Sequence, residues 1–451
     1  MRLKSLLLGL MITSVFVACS KDNEVDPDGP KTGEDAILSV QIANVKTKAL
    51  GDVKIDDKTI SRLSVLVYNG TGDDAVLETI GTATADQNKT VSKVEDIAVT
   101  SGNKRVVVLA NVTPEQLADG GVNTGSAYSS LESANLSFSS SEVNGTLSMN
   151  SKVYNVSLSS GKKNYLGYET VTNPGDNDNY LQETNEKPVY LYRNVAKAVL
   201  SNITVNPLDR YPQASFTAKE VFILHGHSQS GLIGQNGDPW GKTNKDGNYL
   251  NGSTMQDYAA WVTYMEDYEA LKQYNYISTP DKYSAYPTDV ANKYKESLGD
   301  AKLMEGKDLD DLKDTKCFYM YENTDIATGD FHTLLVVKGD FTYQGVNEEG
   351  ESVDVTSKDR YYTVALGLTG IDVGGYSLPD GVIGLSDLQR EGRNKYKGAL
   401  RNLQYKISME IKGPGYTTPF GPKNTDDTFM GVQVQVESLK FISQSVDVGG
   451  E

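Results

Sequence analysis

The chain has 451 residues, 43 lysines and arginines against 60 aspartates and glutamates, and a formal net charge of −17 at pH 7. This acidic balance argues against nucleic acid as the main partner, because phosphate binding needs clustered basic side chains. With three histidines and two cysteines, a zinc site or a Cys/His nucleophile is disfavoured, and we expect no metal, no cofactor and no enzymatic activity. The length is sufficient for two domains, each with its own core.

Residues 1–18 have the pattern of a secretory signal peptide: a basic start precedes an apolar stretch, residues 6–18, that is too short to span a bilayer. This stretch ends in Phe16-Val17-Ala18-Cys19-Ser20, which resembles a bacterial lipobox with Phe16 where Leu is usual. We therefore predict acylation at Cys19. The alternative is an ordinary signal peptide followed by an unmodified cysteine.

The segment after Cys19, residues 21–30, is acidic and rich in Pro and Gly, and it has almost nothing to bury. This composition predicts a disordered tether between the lipid and the fold. An acidic stretch at this place also resembles the surface-export signal of Bacteroidetes lipoproteins. A solvated linker with no signal function is the alternative.

Beyond residue 35 the chain alternates apolar and polar residues over short runs, which indicates half-buried antiparallel strands. The first run, residues 36–45, places Leu38, Val40 and Ile42 on one face. Turns rich in Gly, Asn, Asp and Ser separate the further runs, which lie at residues 63–67, 104–111, 147–158, 189–205, 216–224, 318–321, 333–343, 361–366, 405–411 and 432–441. The composition and spacing predict an all-β protein made of β-sandwiches.

Residues 172–179 form a polar segment that no apolar pattern crosses, so we place a domain boundary at or shortly after it. An N-terminal β-sandwich is predicted over residues 49–185 and a C-terminal β-sandwich over residues 186–431. Within the second, residues 240–315 change to helical spacing, with Thr254 and Asp257 placed as in a capping box and Gly299 placed to end a second helical stretch. We predict a partly helical insertion there.

A predicted strand lies at each end of the exported chain. The first strand is followed by Lys46-Thr47-Lys48-Ala49-Leu50-Gly51, a basic turn suited to a trypsin-like protease. Near the other end, residues 432–451 contain a series of spaced apolar side chains: Val432, Val434, Val436, Leu439, Phe441, Val446 and Val448. Cleavage after Lys48 would release a propeptide, residues 19–48, that includes the first strand and its side chains Leu38, Val40 and Ile42.

Loss of that strand would leave a hydrophobic groove that the C-terminal segment of another copy can fill with main-chain hydrogen bonds and alternate apolar side chains. About five buried side chains at roughly 1.5–3 kcal/mol each are enough for a slowly dissociating contact. A head-to-tail contact of this kind does not close on itself. The pattern therefore predicts a donor-strand segment, residues 432–451, and a filament.

Several short motifs follow one another along the chain: Arg105-Val106-Val107-Val108-Leu109-Ala110-Asn111, Tyr192-Arg193-Asn194-Val195-Ala196-Lys197, Phe318-Tyr319-Met320-Tyr321-Glu322-Asn323, and Leu400-Arg401-Asn402 leading to Ile411-Lys412-Gly413-Pro414-Gly415. In this order, together with the lipobox and the basic turn, they resemble the fimbrillins of Bacteroidales type V pili. Within that family the chain looks most like the minor-type (Mfa) stalk subunits of Porphyromonas.

The resemblance implies two tandem transthyretin-like, Greek-key β-sandwiches in a lipoprotein precursor that is carried to the outer membrane. It also implies cleavage by a trypsin-like, gingipain-type surface protease and polymerisation into a fimbrium by strand exchange. The implied partners are other copies of the chain, accessory tip and anchor pilins, and host or bacterial surface receptors. Such fimbriae serve adhesion, co-aggregation and biofilm formation.

The basic turn departs from the family, because it carries Lys46 and Lys48 where Arg is expected. The first arginine downstream, Arg62, directly precedes another predicted strand, so cleavage there would remove more than one strand. We therefore predict cleavage between Lys48 and Ala49, with Lys46 as the alternative.

Two other functions stay open: a surface glycan-binding lipoprotein that uses Tyr and Trp side chains of residues 240–315, and an accessory tip or anchor pilin. Two small motifs resemble other kinds of site. His225 and His227 have a spacing that zinc can use but lack a clear third ligand. Lys338-Gly339-Asp340 resembles an integrin-binding tripeptide, although its place between two strand runs predicts a hairpin turn.

Overall fold

The computed structural model describes residues 33–42, 59–86, 90–138, 146–168, 178–181, 189–234, 318–323, 333–366, 398–419 and 430–438. The predicted signal peptide, the acidic tether, the basic turn and the insertion over residues 240–315 lie outside these ranges. Within them, no helix has the length and apolarity needed to cross a bilayer.

The described residues form strands and two short helices. Their bounds are β1 Asp35–Gln41, β2 Arg62–Asn69, β3 Val76–Thr84, β4 Lys93–Thr100, β5 Gly102–Ala110, α1 Pro114–Asp119, α2 Tyr128–Ser133, β6 Asn135–Ser137, β7 Met149–Ser151, β8 Tyr154–Leu158, β9 Lys163–Leu166, β10 Asp178–Leu181, β11 Leu191–Arg193, β12 Val195–Val205, β13 Ser215–Leu224, β14 Gln229–Gly231, β15 Phe318–Tyr321, β16 Leu334–Val346, β17 Ser352–Ala365, β18 Leu403–Ile411 and β19 Met430–Ser438. The prediction of an all-β fold is confirmed.

The first half of the chain forms two sheets around one hydrophobic core. One sheet has the order β10-β9-β1-β4, and the other has the order β11-β7-β5-β2-β3, with β8 also paired to β5. The inner strands β2 and β5 are buried on both faces, since Val65 and Leu66 of β2 and Val106 and Val107 of β5 are all fully buried. Their sequences are therefore apolar along much of their length.

The second half repeats this arrangement with the sheets β15-β12-β18-β19 and β13-β16-β17, and it has its own core. In the first of these sheets, β12 pairs antiparallel with β15 and parallel with β18. In the N-terminal half, β1 likewise has one antiparallel neighbour, β4, and one parallel neighbour, β9. Each half therefore contains an inner strand that pairs on both sides with strands distant in sequence.

The run over residues 189–205, predicted as continuous, is divided in the structure at Asn194. Before it, β11 pairs with β7 of the first half, and after it, β12 joins the second half. The chain therefore passes from the sheets of the first half to those of the second half at Asn194. The domain boundary between residues 185 and 186 stays a prediction. The strand β15 connects the halves too, because Tyr319 and Tyr321 enter the first core while Phe318 and Met320 enter the second.

Two other expectations are corrected. The run over residues 147–158 is two strands, because β7 pairs with the end of β5 and β8 with its beginning. Lys338-Gly339-Asp340 is not a hairpin turn but lies inside β16, at a bulge opposite β13 and β17. A Cβ on Gly339 would lie 2.3 Å from the Thr217 carbonyl oxygen, so the close approach of two backbones explains the glycine.

Candidate functional site

The displaced strand predicted from the sequence, β1, is an inner strand of the first sheet. It pairs antiparallel with β4 from Asp35↔Thr100 to Gln41↔Lys93 and parallel with β9 from Ile37↔Lys163 to Val40↔Leu166. Without β1 the sheet would separate into β4 and the pair β9–β10, each with an unpaired edge. We call the space between β4 and β9 the β1 groove.

The three predicted apolar side chains of this strand do share one face. Leu38 is 0% exposed, Val40 1% and Ile42 3%, and Ala36 is buried beside them. All four belong to the first hydrophobic core. Burying three large aliphatic side chains contributes roughly 5–9 kcal/mol before ordering costs. The floor of the β1 groove is therefore apolar.

Two polar contacts line the edges of the β1 groove. On the β4 side, the register moves from Leu38↔Ile97 to Val40↔Val94, so that two residues of β4 face Ser39 in a β-bulge. Asp96, in this bulge, has φ 54° and donates its backbone N–H to Ser39 Oγ at 3.1 Å. On the β9 side, the buried Asn164 donates Nδ2 to the Ile37 carbonyl oxygen at 3.1 Å.

The outer face of β1 is crossed by an ion pair between its two neighbours. Lys163 Nζ on β9 lies 3.2 Å from Asp96 Oδ1 on β4, and the two side chains are 49% and 62% exposed. The hydrogen bond to Asp96 raises the pKa of Lys163. Because the pair is well exposed to water, it adds little to stability and can open without a large cost.

The predicted donor segment is only partly described. The backbone of Val432, Val434 and Val436 lies in β19, paired antiparallel with Met409, Ile407 and Tyr405 of β18 in the chain's own sheet. The other predicted donor residues lie outside the described residues, as do the predicted modification and cleavage residues: Leu439, Phe441, Val446, Val448, Cys19, Lys46, Lys48 and Ala49.

A buried polar network, absent from the sequence analysis, lies where the two halves meet. Arg401 is fully buried and donates to Glu322 Oε1 at 2.6 Å, Ser230 Oγ at 2.8 Å, the Gly231 carbonyl at 2.9 Å and Asn194 Oδ1 at 2.9 Å. Asn150 of β7 donates to the same Asn194 oxygen at 2.6 Å. We call these side chains the Arg401 network.

Several members of the Arg401 network lie in motifs noted in the sequence, but the sequence did not predict that they contact one another. Asn194, Glu322 and Arg401 belong to three of the motifs on which the fimbrillin resemblance was based, and Asn402 in the last motif accepts from the Arg193 backbone N–H at 3.1 Å. Because these side chains are buried and join the two halves, we interpret the network as structural.

His225 and His227 are both buried, and both lie just after β13. Among the described residues, no group of three or more His, Cys, Asp or Glu side chains is placed to hold a metal ion. Burial lowers the pKa of the His227 imidazole below its ordinary value of 6.5, and a hydrogen bond with Asn323 opposes this effect. The described residues thus supply no third ligand for this pair.

The lowered pKa of His227 predicts a loss of stability in mild acid. The unfolded chain binds the proton first as the pH falls through about 6.5, so the free energy of unfolding decreases with decreasing pH below that value. We expect His227→Phe to flatten this dependence between about pH 7 and about pH 5. Urea unfolding at several pH values measures it, and equal slopes for the two proteins would contradict the prediction.

Comparison with known proteins identifies similar sequences. Residues 36–193 match the family model described as major fimbrial subunit protein (FimA). A major fimbrium subunit FimA type-2 of Porphyromonas gingivalis is 24% identical over 458 residues, and a FimA type-4 from the same species is 26% identical over 458 residues. Each alignment covers 98% of this chain and 98% of the relative.

Solved structures show the same fold. A fimbrilin (FimA) from Porphyromonas gingivalis has a TM-score of 0.56 at 21% identity, with 92% of this chain and 99% of that one covered. A putative cell adhesion protein from Parabacteroides distasonis has a TM-score of 0.56 at 24% identity, with 90% and 99% covered. The fimbrillin resemblance and the β-sandwich fold are confirmed. The relatives named here are major-type subunits, whereas the motifs suggested the minor type.

Proposed function

We propose that this chain, a relative of the FimA fimbrial subunits, is a structural subunit of a cell-surface fimbrial shaft. In the proposed pathway the precursor is exported, acylated at Cys19 and anchored to the outer membrane. Cleavage after Lys48 by a trypsin-like surface protease then releases β1, and the C-terminal segment of another copy replaces it. The polymer, with accessory tip and anchor pilins, serves adhesion to host or bacterial receptors, co-aggregation and biofilm formation.

The position of β1 is the observation that supports this proposal most. An inner strand with an apolar face leaves two unpaired edges and an apolar floor when it is removed, and another strand satisfies both at once. While β1 is covalently attached, its high effective concentration keeps competitors out. Cleavage in the chain that follows β1 removes this advantage without removing any group from the β1 groove.

A glycan-binding role rests on residues 240–315, which lie outside the described residues, and we do not propose it. We propose that residues 49–185 and 186–431 are the two sandwiches of the mature subunit, joined by the Arg401 network. Such a role requires self-association, and it needs no enzymatic activity, metal or cofactor.

Limited trypsin treatment of the purified precursor tests the pathway. We expect a new N-terminus at Ala49 and SDS-resistant ladders of subunits. Lys48→Ala should prevent both, whereas the matched variant Lys46→Ala should behave as the unsubstituted chain. Cleavage after Lys46 with normal ladders from Lys48→Ala would move the site to Lys46, and a precursor that never forms ladders after cleavage would refute strand exchange.

A truncation tests the donor segment. Deletion of residues 432–451 should abolish the ladders while cleavage at Lys48 continues. Because the first residues of this segment lie in β19 and pair within the chain's own sheet, a second deletion of residues 439–451 alone separates loss of the donor from loss of the sheet. Ladders that survive both deletions would contradict donation by this segment.

A further inference from the structure

One edge of the β1 groove carries a hydrogen-bond donor that needs an acceptor from the strand in the groove. Asp96 sits in the β4 bulge, and its backbone N–H has Ser39 Oγ as its acceptor at 3.1 Å. Ser39 is 2% exposed although it lies on the strand face opposite Leu38 and Val40. An incoming strand without an acceptor side chain at this position would leave the N–H of the bulge without this hydrogen bond.

The same contacts define the direction of the strand. The Asn164 amide donates to the Ile37 carbonyl on the β9 side, while Asp96 donates to the hydroxyl two residues later on the β4 side. A strand that reverses its direction or shifts by one residue moves its carbonyls and its apolar side chains relative to both donors. The two donors therefore fix both the direction and the register of the strand that fills the β1 groove.

We propose that the β1 groove recognises a hydroxyl residue at the position of Ser39, and that Ser445 of a second copy supplies it. This inference rests on the proposed function. The sequence Ser445-Val446-Asp447-Val448 then takes the places of Ser39-Val40-Gln41-Ile42, with the same first two residues, a polar third and an aliphatic fourth. The incoming strand runs parallel to β9 and antiparallel to β4, as β1 does.

Two other serines of the C-terminal segment fit less well. Ser438 ends β19 and pairs with Leu403 in the chain's own sheet, and its use would place Glu437 where Leu38 is fully buried. Ser443 would place Gln444 at the position of Val40 and Lys440 at the position of Ala36, both of which are buried. The Ser445 register has one mismatch, since Gln444 replaces Leu38, and a neutral amide there costs less than a carboxylate.

Disulfide formation between copies measures the register. In β1, Val40 faces Val94 of β4, and opposite residues of antiparallel strands have Cα atoms about 4.5–5.5 Å apart, a distance that a disulfide bridges. Cys317 is the one cysteine after residue 48, and Cys317→Ser removes it. In that background, Val94→Cys combined with Val446→Cys should give disulfide-linked ladders after trypsin cleavage. The combinations with Leu439→Cys and Gln444→Cys, which represent the Ser438 and Ser443 registers, should not. Linkage through either of these and not through Val446→Cys overturns the proposal.

A second measurement tests the hydroxyl itself. Ser445→Ala ladders should dissociate in SDS roughly 10-fold faster than those of the unsubstituted chain, because the N–H of Asp96 in the bulge loses its acceptor side chain. Ser445→Thr should restore the rate, and the matched variant Ser443→Ala, placed at the exposed Ile37 position, should leave it unchanged. Gln444→Leu should slow dissociation. Equal rates for Ser445→Ala and Ser443→Ala overturn this inference alone, whereas an unsubstituted chain that forms no ladders refutes the proposed function.

Discussion

Arg401→Ala is expected to lower the free energy of unfolding by about 3–5 kcal/mol, the cost typical of removing one partner from a buried ion pair. Arg401 and Glu322 have side chains 0% and 1% exposed, so the substitution leaves a carboxylate in a nearly water-free place. It also removes the donors to Asn194 and Ser230. Urea unfolding measures the change.

Two variants separate the ion pair from the packing around it. The double variant Arg401→Met with Glu322→Gln removes both charges at similar volume and should be clearly more stable than Arg401→Ala. Lys93→Ala breaks an exposed ion pair with Glu95 and should cost less than about 1 kcal/mol. A loss from Arg401→Ala no greater than that from Lys93→Ala would show that the network does not join the halves.

Gly167→Ala is expected to cost about 3 kcal/mol of unfolding free energy and to loosen β1. Gly167 has φ 84°, and a Cβ built on it would lie 2.0 Å from the Gln41 carbonyl oxygen and 3.1 Å from Val189 Cγ2. An added methyl group must therefore displace the end of β1. Hydrogen exchange over residues 35–42 should become faster, and urea unfolding gives the total cost.

Gly161→Ala is the matched control for this prediction. Gly161 has φ 64° and nothing within 4 Å of the Cβ position, so the variant carries the backbone strain without the collision. Its cost should be about 1–2 kcal/mol, and β1 should stay protected. Equal costs and equal exchange for the two variants would mean that contact with Gln41 does not hold the strand.

Local alternation in the sequence was sufficient for much of the fold. The period of two identified β1, β2 and β16 as strands and placed Leu38, Val40 and Ile42 on one buried face, because side-chain direction in a strand depends only on residue parity. The same reasoning failed at the stretch through Asn194, which has no period that marks its change of sheet. Lys338-Gly339-Asp340 was predicted to be a turn, although it continues β16.

The candidate site was predictable to a smaller extent. The sequence indicated that β1 is displaceable, from its alternation and the basic turn after it. It gave no sign that Ser39 has a structural role, since a serine on the polar face of a strand is expected to meet water. Only the bulge at Asp96, a feature of the neighbouring strand β4, makes that hydroxyl a buried acceptor.

The sequence by itself determined the all-β class and the apolar face of its first strand, since each depends on residues close together in the chain. It also predicts export and processing from short local motifs. The tertiary structure decided which strands are neighbours. β1 lies between β4 and β9, and Asn164 reaches a carbonyl 127 residues away. Arg401 meets Asn194 across 207 residues and Glu322 across 79. Such contacts follow from packing two sandwiches against a shared boundary, and no local pattern encodes them.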